Sequence, residues 1–406
     1  MGLTMRIFIG LILGVVAGMG LGPGGVPFAK AWIAPFGTIF MNMIKMIIVP
    51  LVLSSLVIGV CGLGDVKKIG RIGGITVFYY LITTAVAIVI GLILGTVVVP
   101  GAGLSIPSNV KTAAKAAPPI MDVISGIFPT NPVQAMVKAD MLQIIVFALF
   151  LGVGIIAVGD RAKPLYNFFD GLAEVSYKIV GYIMVFAPIG VFGLICPVVA
   201  ANGPAVLLPL LKVILCVYFG CFLHAIIVYG GLLSIIGKLN PMKFFKAVFP
   251  AQLIAFTSCS SSGTLPVTME CTQTGLGVAK EIASFVLPLG ATINMDGTAL
   301  YQGVCALFIA QVYGVDLSAA QYATIIVTGT LASIGTAGVP GAGFIMLTMI
   351  LTAIGLPLEG SALIAGIDRV LDMPRTCVNI TGDCCVAYIV DKSEKDRAKR
   401  LEGKEA

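Results

Sequence analysis

Ser258-Cys259-Ser260-Ser261-Ser262-Gly263-Thr264-Leu265-Pro266 interrupts a long apolar run with small polar residues. A second interruption follows in the same half of the chain, at Ser333-Ile334-Gly335-Thr336-Ala337-Gly338-Val339-Pro340-Gly341-Ala342-Gly343. Backbone that leaves the helix at membrane depth is tolerated only where protein buries it or where it lines a cavity. Each run is therefore expected to be a re-entrant helical hairpin whose tip offers N–H and C=O groups to something bound. Glycine and serine also serve close helix packing in membranes, but packing needs no carboxylates beside it. Here each run is followed by a polar cluster: Asn294-Met295-Asp296-Gly297-Thr298 after the first, Asn379-Ile380-Thr381-Gly382-Asp383 after the second. A hairpin and a polar-centred helix, occurring twice, form the internal repeat expected of a secondary transporter with a midplane site.

Working outward, composition supports a membrane setting. Of 406 residues, 58% are hydrophobic and only 11% charged, against about 25% charged in an average soluble domain. A surface with so little charge suits lipid better than water. The first half reads as six spans, near Met5–Gly22, Ile33–Gly62, Gly73–Val99, Asp140–Val158, Phe168–Ala200 and Ala205–Gly237. Several exceed the roughly 20 residues needed to cross, which implies tilt or protruding ends. The stretch from Pro100 to Lys138 is richer in Pro, Ser and Ala and is read as an outer loop. The N-terminal run lacks a small-x-small cleavage site and is read as a retained first helix.

The net charge of +6 does not mark a nucleic-acid partner, because the basic residues form no single surface. They fall in short patches between apolar runs: Lys67, Lys68 and Arg71; Arg161 and Lys163; Lys238, Lys243 and Lys246; and the tail from Lys392. By the positive-inside rule these face the cytoplasm, and both termini are expected inside. Lys111, Lys115 and Lys138 depart from the pattern. Cys61, Cys196, Cys216, Cys221 and Cys305 lie within apolar runs and are read as packing residues, not a disulfide framework. No residue is singled out as catalytic. The serine run lacks G-x-S-x-G and lies far from the one histidine, His224. Without a GxxxxGK[ST] loop, the chain itself is not expected to spend ATP. With no obvious acidic partner nearby, His224 is read as a packed or interfacial residue, a proton relay being the functional alternative.

The chemistry concentrates in Asp368, Arg369, Asp372, Arg375 and Asp383. A charge at mid-membrane costs at least about 2.5–3.5 kcal/mol, so five on one helix demand internal partners. Asp368, Asp372, Arg375 and Asn379 step by four, three and four residues and line one face, continued by Thr376 and Asp383. Such a stripe suits a zwitterion. Arg375 offers a planar fork to a carboxylate, and Asp372, one turn earlier, is placed for an ammonium; a purely structural Asp372–Arg375 pair is the bland alternative. Asn294, Asp296, Asn379 and Asp383 read as ligands for a small hard cation, with helix breaks at Gly297 and Gly382 expected to free carbonyls. Proton carriage by the two aspartates remains an open alternative at this level.

With those residues in view, the second half resembles the dicarboxylate/amino acid:cation symporters, the glutamate transporter family. The strings are SSSGTLPVTM (Ser260–Met269), TINMDGTALYQ (Thr292–Gln302), SIGTAGVPGAG (Ser333–Gly343) and LDMPRTCVNITGD (Leu371–Asp383). The first half matches through its span count and Tyr79-Tyr80-Leu81-Ile82-Thr83-Thr84. The resemblance implies an all-α integral membrane protein of eight transmembrane helices and two re-entrant hairpins, working as a homotrimer in the cytoplasmic membrane. It implies sodium-coupled uptake of aspartate or glutamate by an elevator movement. Proton-coupled glutamate or C4-dicarboxylate symport is the nearest alternative, and an anion channel one of a different class. Residues 1–237 would be mostly scaffold and trimerisation helices, with the third and sixth spans moving with the transport core at 238–391; 392–406 would be a cytoplasmic tail.

By the same resemblance, Arg375 would bind the substrate side-chain carboxylate and Asp372 its amino group. Ser261, Thr298, Thr376, Asn379 and the Val339 and Gly343 backbone would complete the pocket. Sodium would use three groups of ligands: Gly290, Asn294, Asn379 and Asp383; Thr292, Ser333, Ile334 and Thr336; and Tyr80, Thr83, Thr84, Asn294 and Asp296. Met295 would link ion and substrate binding. Two departures stand out. Cys259 occupies the place of an arginine found before the serine run in archaeal members, and Met373 the place of an equivalent arginine in the eighth helix of others. Arg369, one turn before Met373, is expected to assume that role, and Pro374 to bend the helix beside Arg375.

Overall fold

Long apolar runs with few caps become long helices. The computed structural model describes residues 3–61, 66–104, 128–138, 140–334 and 341–402, and holds no strand among them. The first half is α1 (Leu3–Leu21), α2 (Ala34–Cys61), α3 (Val66–Val98), the short α4 (Pro132–Lys138), α5 (Met141–Val158), α6 (Lys163–Asn202) and α7 (Leu207–Gly237). Five of these match the expected spans closely, and α3 begins seven residues earlier than Gly73. Asp140 caps α5, its carboxylate accepting the Gln143 N–H at 3.4 Å. Three helical runs, Arg71–Val98, Gln143–Ile183 and Leu207–Gly237, are each long and apolar enough to cross a membrane; a fourth is added if the pair Met5–Leu21 and Pro23–Phe40, bent by 101°, is taken as one span.

The first interruption ends a helix where the sequence places it. Helix α8 (Pro241–Ser258) stops at Cys259, whose φ of 53° lies in the left-handed region. That conformation favours glycine, so a cysteine there stores strain. Ser260 then starts α9 (Ser261–Glu270), its hydroxyl accepting the Gly263 N–H at 3.0 Å. The two arms pack against each other and against α15. The second hairpin has arms α12 (Ala319–Ser333) and α13 (Ala342–Ala353), which also pack together. Its tip, with the expected site residues Thr336 and Val339, lies outside the described residues. Between and after the hairpins run α10 (Lys280–Ile293), α11 (Asp296–Val312), α14 (Ser361–Ala365) and α15 (Asp368–Glu402).

The helix breaks differ from expectation. The chain leaves the helix at Asn294 and Met295, not at Gly297, which sits in the first turn of α11. Gly382 lies inside the uninterrupted α15. Neither glycine bends backbone; both make room. A side chain on Gly297 would strike the Arg375 backbone, and one on Gly382 would strike Asn294 and the Tyr229 hydroxyl. Pro374 likewise does not interrupt α15. It cannot donate to the Val370 carbonyl four residues back, and the Tyr218 hydroxyl donates there instead, at 3.0 Å.

Two groups of helices pack tightly. Helix α6 packs on α1 and α2, with α5 against α2. In the second group α11 is central, packed on α3, α7, α13 and α15. Glycines bring these helices into backbone contact: Gly10 meets Pro188, Gly91 meets Leu300, and Gly303 meets Ile88. Without side chains the axes approach closely, which is how membrane helices gain van der Waals contact in the absence of a hydrophobic drive. The α3–α11 approach has a direct consequence, because it holds Thr84 against Asp296. Large apolar side chains such as Phe150, Phe168, Phe222 and Ile235 face outward, while Asp296, Arg375 and Asp383 are buried. Of the cysteines read as packing residues, Cys196, Cys216, Cys221 and Cys305 are buried, and Cys61 is partly so; all are free thiols.

The close α3–α11 contact makes a specific prediction. In Gly91→Ala the new methyl collides with the Leu300 carbonyl, and overpacking of this kind costs about 1–3 kcal/mol. Thermal unfolding in detergent should show a clearly lowered midpoint. Gly154→Ala, with nothing within 4 Å of the new methyl, should leave it unchanged.

Candidate functional site

Helix α15 supplies one wall of the site. Spacing along it puts Asp368, Asp372 and Arg375 on one face, as expected. Arg375 is fully buried; Nη1 donates to Asp368 Oδ1 at 3.0 Å, and its guanidinium carbon lies 4.0 Å from the Tyr301 ring centre. Cation–π contact and a charge-assisted hydrogen bond thus hold one face and one end of the fork. The opposite edge is different. Asp372 Oδ1 pairs with Nη2 at 2.8 Å, but among the described residues Nε has no hydrogen-bond acceptor and Nη2 no aligned one. Asp372 Oδ2 is also buried without a donor. Buried polar atoms are nearly always partnered, and exceptions call for an explanation.

The remaining expected substrate residues gather round this edge. Thr376 donates to the Asp372 carbonyl at 2.9 Å. Gly343, in the first turn of α13, has no side chain to occupy the space before Arg375; a Cβ there would lie 3.0 Å from Thr298 and 3.3 Å from the guanidinium carbon. Asn379 Nδ2 points to Met295 Sδ at 3.2 Å and Thr298 Oγ1 at 3.4 Å. Ser261 is buried at the start of α9. Arg369 joins α15 to the first hairpin, donating from Nη2 to the Ser258 carbonyl at 3.1 Å. A cation at the C-terminal end of α8 complements the exposed carbonyls there.

On the other side of Met295 lies an oxygen-rich cluster. Asn294 Nδ2 donates to the Asn379 carbonyl and to Asp383 Oδ1, both at 2.9 Å. The Gly297 N–H donates to Asn379 Oδ1 at 2.8 Å. Gly290 abuts Asp383 and the Tyr80 hydroxyl, so closely that any side chain would overlap them. Gly290, Asn294, Asn379 and Asp383 are therefore together. Tyr80, Thr83 and Thr84 are buried beside them on α3, and Thr84 donates to Asp296 Oδ1 at 2.6 Å. Among the described residues no donor reaches the buried Asn294 Oδ1. An orphaned carbonyl oxygen between two buried carboxylates fits a small cation such as sodium, which takes oxygen ligands. Among the described residues no group of three His, Cys, Asp or Glu could hold a metal.

The second expected ligand group, Thr292, Ser333, Ile334 and Thr336, lies only in part within the described residues. The Thr292 hydroxyl bonds within its own helix to the Leu289 carbonyl at 3.0 Å, and Ser333 to the Thr330 carbonyl at 2.7 Å. Ile334 is buried, and Thr336 lies outside the described residues.

Sequence reading missed three participants. His224 does have an acidic partner: its Nε2 lies 3.1 Å from Asp296 Oδ2, and the ring is fully buried. The partner is 72 residues away, on another helix, so no local pattern announces it. Tyr229 reaches the same oxygen at 2.7 Å. Tyr301 follows Thr298 by three residues, a helical spacing that places it on the Arg375 side of α11.

Comparison with known proteins places the chain in a family. The profile of the Sodium:dicarboxylate symporter family matches residues 3–393. A "Proton/sodium-glutamate symport protein" of Geobacillus stearothermophilus is 40% identical over 97% of this chain and 94% of its own length. A "Proton/glutamate-aspartate symporter" of Escherichia coli (strain K12) is 37% identical over 98% and 95%. "Excitatory amino acid transporter 2" of Homo sapiens is 35% identical over 97% and 79%. A match that spans nearly the whole chain, over a site built from the motifs that suggested it, means that this protein belongs to the sodium:dicarboxylate symporter family.

Proposed function

We propose that the protein is a secondary-active symporter that takes up aspartate or glutamate coupled to sodium. One observation carries the reading. Among the described residues the Nε–Nη2 edge of Arg375 makes no aligned hydrogen bond, its Nη2 only pairing with Asp372 Oδ1 at 2.8 Å, and Asp372 Oδ2 has no donor. A substrate carboxylate completes the first, with two parallel hydrogen bonds, and a substrate ammonium completes the second. An acidic amino acid carries both groups. The relatives whose names include glutamate or aspartate support the same substrate class.

Sodium is read as cargo bound at two adjoining groups of oxygens, Gly290, Asn294, Asn379 and Asp383, and Tyr80, Thr83, Thr84, Asn294 and Asp296. Each buried carboxylate costs free energy to desolvate unless a charge or donors meet it. Sodium and substrate sites share Asn379 and adjoin Met295, so occupancy of one set favours the geometry of the other. Thr292, Ser333, Ile334 and Thr336 are read as a further ion group, and the Val339 backbone as meeting substrate.

The architecture is read as eight spans and two hairpins, acting as an elevator within a homotrimer in the cytoplasmic membrane. The packing of α1, α2, α5 and α6 chiefly on one another supports a scaffold within 1–237. The transport core at 238–391 then moves with α3 and α7, and 392–406 is a cytoplasmic tail.

Arg375→Ala should abolish sodium-driven aspartate uptake in proteoliposomes; undiminished uptake would remove the basis of the assignment. Asp372→Asn should weaken aspartate binding by about 1.5–3 kcal/mol, the scale of a hydrogen bond to a charged group, or roughly 10–100-fold. Calorimetry should show succinate, which has no amine, much less affected. Replacing sodium with potassium under an imposed pH gradient should stop uptake. Transport that continues would move the coupling to protons.

A further inference from the structure

Asp296 is held at both ends by different parts of the molecule. Oδ1 accepts the Thr84 hydroxyl at 2.6 Å. Oδ2 accepts the Tyr229 hydroxyl at 2.7 Å and His224 Nε2 at 3.1 Å. All four side chains are fully buried. The two donors to Oδ2 come from one π-helical turn, His224–Tyr229, inside α7. In an α-helix, at about 3.6 residues per turn, positions five apart point about 140° away from each other. The wider i→i+5 turn closes most of that angle and turns both side chains toward one oxygen. The rings also meet edge to face, with centroids 4.8 Å apart. Gly382 keeps the space open, since a Cβ there would overlap the Tyr229 hydroxyl.

We infer that His224 and Tyr229 are positioning residues for sodium coupling, fixing Asp296 through Oδ2 so that Oδ1 stays aimed at the ion. This rests on Asp296 being a sodium ligand, as proposed above. The division of labour follows from what each donor can do. Thr84 carries both a proton and lone pairs, so its hydroxyl can turn from donating to Oδ1 to ligating a cation. The imidazole Nε2–H can only donate, because a carboxylate only accepts. Tyr229 keeps the Val378 carbonyl, at 3.2 Å, as a second acceptor. The clamp therefore remains made while the ion comes and goes. Neither residue approaches Arg375 or Asp372 closely enough to hydrogen-bond them, so substrate recognition lies outside its reach.

Outer-shell partners of this kind typically carry about 10–100-fold in cation affinity. Tyr229→Phe and His224→Leu should each raise the sodium concentration for half-maximal aspartate uptake by about tenfold or more. The aspartate KM at saturating sodium should stay within about twofold. His224→Gln, whose amide nitrogen can stand where Nε2 does, should restore most of the sodium affinity. An unchanged sodium dependence in Tyr229→Phe, in protein that elutes as wild type on size exclusion, overturns the clamp, as does an equal rise in aspartate KM at saturating sodium. Should His224→Leu fail to fold, Tyr229→Phe decides alone, since it removes a single oxygen. Asp296→Asn separates the two claims. If it leaves sodium dependence intact, the ion-site reading falls; if it raises the requirement while Tyr229→Phe does not, only the clamp falls.

Discussion

Asn294 and Asn379 clasp two helices across a break, and every feature of the site is referred to that clasp. Asn294 Nδ2 takes the Asn379 carbonyl and Asp383, while Asn379 Oδ1 takes the Gly297 N–H. The first N–H groups of α11 would otherwise be buried without partners, which no apolar surrounding tolerates. The same three bonds lock α11 to α15 at one depth and in one rotation. Arg375 is thereby set over Tyr301, and Asp383 beside Gly290. Shift the clasp by one residue, and neither cluster forms.

Around this clasp the charges divide into two environments. Arg375, Asp368 and Asp372 balance one another only in part, leaving a donor edge and an acceptor oxygen unmet. Asp296 is the contrary case, with both oxygens engaged. A buried ion pair adds little net stability, since desolvation opposes the attraction. The unmet atoms therefore point to recognition, and the met ones to an orientation held in readiness. Met295 lies between the two, its sulfur against Asn379. The soft thioether gives a deformable contact between the two clusters.

Strain and substitution follow the same logic. Cys259 adopts a left-handed conformation at the tip of the first hairpin, and Arg369 holds the carbonyl just before it. Arg369 thus reaches the first hairpin from α15 by a hydrogen bond to backbone. Pro374, expected to bend the helix, leaves it continuous because Tyr218 fills the acceptor that the ring cannot serve.

Much of this was legible in the residues themselves. Low charge, six long apolar runs and two polar interruptions determined a helical membrane chain, because the water-free setting allows few backbone solutions. The α15 stripe was readable too, since Asp368, Asp372 and Arg375 lie on one helix and helical spacing is a local property. What lay beyond reach depended on which helices meet. The role of His224 required α7 to pass α11, and it required a π turn that no composition signals. Gly297 and Gly382 looked like breaks and proved to be clearances, because a glycine reports missing bulk without saying whether backbone or a neighbour needs it. Local geometry follows from sequence through steric rules of a few residues; partners 72 or more positions apart are chosen only when the whole bundle packs.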